Sequence, residues 1–235
     1  MPRSLRYELT DIPQHVVQRG NNRQRTFFCD DDCSFYLRAL GEAAARAGCN
    51  IHAYVLMPNH VHLLVTPLRA NAISKVIQSV GRRYVRYIND RHRRTGTLWE
   101  GRHKASLVAT ESYLMNCYRY IEMNPVRAQL ASAPDHYSWS SYRRNALGQI
   151  DPLVTEHPEY TSLGSRPAER AAVYRQLFGV GPDARVIDEI RTELNLCRAF
   201  GPDSFKARIE KDLKRPLRPG KAGRPKKRKG RSDDL

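Results

Sequence analysis

His60 and His62 stand one residue apart inside the apolar run 60–66. That run reads as a β-strand, and strand side chains alternate between faces, so both imidazoles share one face while Val61 points to the other. Two imidazoles so placed can hold a divalent metal ion together. The plainer alternative is a hairpin edge with two solvated histidines. Downstream, Tyr120 and Asn124 lie four residues apart in a helical stretch, about 40° from each other at about 100° per residue. They flank an apolar face made by Leu114, Cys117, Tyr118 and Ile121, with Asn116 on their line and Tyr118 inside the core face. A phenol and a carboxamide at the margin of a core are both held in place and reachable. Alone, the pair also reads as a core-edge tyrosine with a wet hydroxyl and an asparagine capping a helix before Pro125.

These groups need a framework. Residues 15–19 read as a strand followed by a turn at 20–22, and 30–47 as a helix opened by three aspartates and ended by Gly48. Residues 51–57 and 60–66 form two strands joined across Pro58-Asn59. A long basic helix follows at 72–93, with Tyr84 and Tyr87 on its apolar side. A strand is expected at 98–108, bent at Gly101, then a helix at 110–123 with Thr110 as N-cap and Pro125 as its stop. This order predicts an α+β fold: a ferredoxin-like antiparallel sheet with helices on one side, over residues 1–149. Three further helices at 166–178, 184–200 and 203–213 predict a helical C-terminal extension over 150–214. Residues 215–235 are rich in Lys, Arg, Pro and Gly with almost no apolar content, so they predict a disordered basic tail.

The chain of 235 residues carries a net charge of +16. Such a charge bears on partners rather than fold, and nucleic acid is the usual polyanion. It is concentrated in two places. Residues 71–104 hold nine Lys/Arg against two Asp/Glu, and residues 206–235 hold thirteen against four. No apolar run is long enough to span a membrane, and no apolar segment follows the first basic residues as in a secretory signal. Five cysteines without a C-x-x-C pair argue against a zinc site or a disulfide framework and fit a reducing cytoplasm.

Taken together, three stretches resemble the HUH single-tyrosine transposases, and within them the REP-associated tyrosine transposases. They are Met57-Pro58-Asn59-His60-Val61-His62-Leu63-Leu64-Val65, then Leu98-Trp99-Glu100-Gly101-Arg102, then Tyr118-Arg119-Tyr120-Ile121-Glu122-Met123-Asn124-Pro125-Val126-Arg127-Ala128. The resemblance spans roughly residues 10–145. It implies that Tyr120 is the nucleophile and that His60, His62 and Asn124 ligate Mg²⁺ or Mn²⁺; imidazole and amide ligands are softer than the oxygen cage Mg²⁺ prefers. It also implies a metal-dependent strand transferase that cleaves and rejoins single-stranded or hairpin DNA at repetitive extragenic palindromes. The route would be a 5′-phosphotyrosine intermediate, which stores the bond energy without ATP. Arg119, Arg127 and Lys104 are candidates to favour the phenolate. Lys75, Arg82, Arg83, Arg86 and Arg102 would join them in binding DNA, with Arg224, Lys226 and Lys227 of an AT-hook-like tail adding contact to flanking duplex. The expected state is a monomer or homodimer in the cytoplasm, associated with the nucleoid. The competing reading is a structural or regulatory DNA binder that keeps the fold without the chemistry.

Overall fold

The structure is a computed structural model that describes residue 7 and residues 9–179, 183–214 and 216–217. Arg224, Lys226 and Lys227, and with them the AT-hook-like segment, lie outside the described residues.

Five strands form one sheet in the order β2-β3-β1-β4-β5, with β1 at Gln14–Arg19, β2 at Cys49–Met57, β3 at His60–Pro67, β4 at Lys104–Val108 and β5 at Ala199–Phe200. The pairs β2/β3, β1/β3 and β1/β4 are antiparallel, while β4/β5 is parallel. Opposed residues share a face, so the registers Val17↔His62, Arg19↔His60 and Val17↔Lys104 set one row of side chains across three strands.

The α+β reading holds, and the helix placement needs correction: helices cover both faces of the sheet. On one face, α1 (Asp30–Ala47) and α2 (Ala72–Arg91) bury Tyr36, Leu40, Val80 and Tyr84 against Val16, Leu56, Val61 and Leu63. The three aspartates open α1 as expected: Asp32 accepts from the Phe28 and Cys29 backbone N–H groups at 2.8 and 3.2 Å, and Gly48 ends the helix in the left-handed region. On the other face, α3 (Ser112–Glu122) buries Leu114, Cys117, Tyr118 and Ile121 against Ala53, Val55 and Leu64. The short α4 (Asn124–Arg127) continues from α3: Pro125 starts this turn instead of ending structure, since a first-turn proline lacks only an N–H that has no partner there.

Three other boundaries differ. The strand expected over 98–108 is β4 alone, with Trp99 making a single bridge to Gly20. Glu111, not Thr110, occupies the N-cap of α3. The last long helices are α7 (Pro167–Gly179), α8 (Ala184–Asn195) and α9 (Asp203–Leu213), and the end of the helix expected over 184–200 is β5. Two short helices, α5 (Tyr142–Leu147) and α6 (Pro158–Thr161), have no counterpart among the helices that periodicity predicts. The C-terminal segment is tied into the fold, because β5 extends the sheet and α5 to α8 pack on the α3 face.

Candidate active site

Where β1, β3 and β4 present their shared row to α3, a cavity of about 600 Å³ opens. His60, His62, Tyr120 and Asn124 all line it. The strand period places the two histidines on this face, and Val61 fills the opposite core as expected. Their ring centroids are 5.0 Å apart. Tyr120 sits one helical turn before Asn124 and packs its ring edge-on to His62 at 5.8 Å. Both plain readings of the helix pair are partly realised. Tyr120 is 5% exposed, and the Asn124 Nδ2 donates to the Tyr120 and Ile121 carbonyls at 2.9 and 3.2 Å, satisfying the last turn of α3.

Arg127 binds this pair together. Its guanidinium lies 4.2 Å from the Tyr120 ring centroid and donates to the Tyr120 carbonyl at 3.0 Å and to Asn124 Oδ1 at 2.8 Å. Lys104 and Arg102 also line the cavity, and Lys104 donates to Asn195 Oδ1 at 2.8 Å. Arg119 is not among the lining residues; partial burial lowers its pKa, with Tyr174, in the packing behind α3, opposing this. The α2 cations lie on the other face. Lys75 lines a second cavity of about 700 Å³ beside Trp99, Arg82 is exposed, Arg83 pairs with Glu42 at 2.8 Å, and Arg86 faces Asp90 at 3.7 Å. Arg102 borders both cavities. Tyr84 is core and Tyr87 stacks on Phe35, as their side of the helix predicts.

Sequence reasoning missed Arg19, Arg23, Glu100, Arg191 and Asn195 in the lining. Arg19 continues the strand alternation of His15 and Val17, a signal that was available. Arg191 and Asn195 are four apart on α8 and so share a side, but nothing local shows that α8 returns to the cavity. The result is five cations around a single carboxylate, Glu100. This charge suits a phosphate chain.

The histidines are neutral. Burial first, then the nearby Arg19, lowers His60 to about 4. Burial and then Arg127 lower His15 to about 3, and His62 falls well below its ordinary value through burial and the adjacent His15. His52, lowered to about 4 by burial, is structural as expected and bonds Thr155 O and Thr66 Oγ1. Below pH 6.5 the unfolded chain protonates these histidines while the native chain does not. The stability these groups contribute is therefore fully present above pH 6.5 and is lost as the pH falls below it. Glu122, raised to about 7, opposes this over pH 4.5–7 but is a single group. Urea unfolding at pH 7, 6 and 5 will show a steady decline; a flat profile would contradict the neutral, buried histidines.

A tyrosine, two imidazoles and an amide thus meet inside a cationic cavity, and the chain's family is one of enzymes that act on DNA. The sequence signature described as "Transposase IS200 like" matches residues 8–124, half of the chain, and the chain belongs to that family. The matched segment runs from the strand before the histidines to Asn124. Among solved structures, a REP-associated tyrosine transposase bound to a REP hairpin aligns with a TM-score of 0.55 at 16% identity, covering 67% of this chain and 93% of that one. It shares the fold. A transposase from Deinococcus radiodurans is similar at 21% identity over 55% of this chain and 91% of that one, with a TM-score of 0.35. No curated protein sequence matches the chain.

Proposed function

We propose that the protein is a metal-dependent DNA strand transferase of the REP-associated kind, acting on hairpin-forming single strands. The observation that carries this reading is the meeting of Tyr120, His60, His62 and Asn124 in one cation-ringed cavity. Among the described residues no cluster of three His, Cys, Asp or Glu side chains could hold a metal. The donor set that the family resemblance implies for Mg²⁺ or Mn²⁺ is the two imidazoles with the Asn124 amide oxygen, which keeps a second lone pair beside its bond to Arg127. Few protein ligands suit an ion that retains water and substrate oxygens. When bound, the ion would polarise the scissile phosphate and offset charge on its oxygens.

The chain's own groups do the rest. The Tyr120 oxygen attacks phosphorus, and its proton leaves to solvent. The bond from phosphorus to the 3′ oxygen breaks, and that oxygen takes up a proton to become a free 3′-OH. The 5′ phosphate stays on Tyr120 as a diester until another 3′-OH reverses the step. Arg127 fixes the tyrosine ring and places positive charge beside it. Arg19, Arg23, Arg102, Lys104 and Arg191 hold the strand by its phosphates.

The direct test incubates the full chain with labelled hairpin oligonucleotide and Mn²⁺ or Mg²⁺. An SDS-resistant protein–DNA adduct is expected. Hairpin binding with no cleavage under either ion would favour the structural DNA binder. Removing residues 218–235 should weaken binding and flatten its salt dependence. The log–log slope should change by about 0.7 for each single-strand phosphate that the tail no longer neutralises, or about 0.9 on duplex. Adduct formation at saturating DNA should be unchanged. Absence of the adduct there would place the tail within the chemistry.

A further inference from the structure

A histidine offers a metal one bare ring nitrogen, and which one is bare depends on the hydrogen bond made by the other. For His60 that bond runs to a neighbour in sequence. Its Nδ1 lies 2.6 Å from Asn59 Oδ1. The orientation of the Asn59 amide follows from its other end, which meets the Arg23 carbonyl at 2.8 Å. A carbonyl only accepts, so that end is the NH₂, and the end facing His60 is the oxygen. An amide oxygen also only accepts. His60 must therefore carry its proton on Nδ1 and leave Nε2 bare on a ring that lines the cavity.

The amide is itself held. The loop after β1 is fastened to the β2–β3 turn: Gly20 N–H donates to the Asn59 carbonyl at 2.8 Å, and Thr26 N–H to the Pro58 carbonyl at 2.8 Å. Gly20 has no room for a side chain, since a Cβ there would run into the Gln24 carbonyl and the Thr26 methyl. The acceptor for His60 is thus built from backbone on both sides.

His62 differs. Its Nδ1 lies 2.8 Å from His15 Nε2, another imidazole nitrogen that can donate or accept. His15 Nδ1 is buried with no protein partner to settle which. The proton between these two rings can sit on either side.

We propose that Asn59 is a positioning residue that sets the tautomer of His60, so that one cavity histidine presents a bare Nε2 before any ligand arrives while the other does not have this fixed in advance. The assignment of a metal to that nitrogen rests on the reading of the site given above; the tautomer assignment does not.

The test uses the full chain, ¹⁵N-labelled and metal-free at pH 8, with long-range ¹H–¹⁵N correlation of the imidazoles. His60 is expected as the Nδ1–H form. Asn59→Ala should move it toward the Nε2–H form while leaving the His15 and His62 signals in place, which general unfolding of the turn would not do. Asn59→Asp keeps the accepting oxygen and should restore the Nδ1–H form. Mn²⁺ titration followed by electron paramagnetic resonance should show about 10–100-fold weaker binding for Asn59→Ala, with recovery in Asn59→Asp. An Nε2–H form of His60 in the unmutated chain, or no change on Asn59→Ala, would overturn the proposal. Expected tautomers with no Mn²⁺ binding in any variant would uphold the Asn59 assignment and remove the metal from the proposed function.

Discussion

Tyr120→Phe will bind hairpin DNA as the unmodified chain does and will form no SDS-resistant adduct. The substitution removes one oxygen and leaves the ring. That ring supplies the packing, edge-on to His15 and His62 at 5.5 and 5.8 Å and under Arg127 at 4.2 Å. Fold and strand binding therefore stay intact. Covalent catalysis has no partial substitute when the nucleophilic atom is gone, so adduct and rejoined product should fall below detection together. Tyr118→Phe is the matched control. Tyr118 is two residues away but 1% exposed and packed with Tyr160 and Tyr174, so its variant should still form the adduct. An adduct surviving in Tyr120→Phe would refute the assignment of the nucleophile. Cleavage without adduct in that variant would mean that water attacks instead.

The second large effect is on stability. Glu122 follows Tyr120 by two residues yet turns away from the cavity, and it is fully buried. Ser141 Oγ and Asn145 Nδ2 donate to one of its oxygens at 2.5 and 2.8 Å, and the Tyr174 hydroxyl to the other at 2.7 Å. One carboxylate thus joins α3 to α5, the residue before it, and α7. Glu122→Ala leaves the Tyr174 hydroxyl and part of the Asn145 amide without partners and opens a void. We expect a loss of about 3–5 kcal/mol. Glu122→Gln keeps the volume and should cost less. Its pH dependence carries a further signature. Burial raises the Glu122 carboxyl to about 7, so between pH 4.5 and 7 the native state holds a proton that the unfolded state has lost. The stability contributed by this group therefore declines as pH rises through that window. Glutamine does not titrate, so the deficit of Glu122→Gln relative to the unmodified chain should shrink from pH 5 to pH 8. Denaturant unfolding at both pH values checks this; a deficit that grows with pH would show that the three donors outweigh burial and keep the carboxylate ionised.

Much of the site was legible because its signals are local. A period of two put His60 and His62 on one face, a period of 3.6 put Tyr120 beside Asn124, and three aspartates with Gly48 bounded α1 at the residues observed. What escaped depends on contacts distant in sequence. His15 meets His62 only as a diagonal neighbour once β1 and β3 pair. β5 has two residues and leaves no periodic trace, and its flanking helix hid it. The expected one-sided placement of helices failed because α3 looks amphipathic in isolation, which says that one face is buried but not on which side of the sheet. Arg127 was a candidate for its charge alone. Its position over the tyrosine ring follows from the extra turn α4, which Pro125 initiates.

Arg191, Leu194 and Asn195 form part of the cavity wall although they follow Tyr120 by some seventy residues. During synthesis the chain emerges from its N-terminus, so a ribosome that has released residues through 183 has already released both histidines and the tyrosine. The wall that completes the cavity arrives with α8, and β5 then closes the sheet edge beside β4. The order of translation thus delays the completed cavity until α8 and β5 have been made. A truncated product ending before α8 would carry Tyr120 and both histidines without Arg191, the cation that α8 adds to the cavity wall.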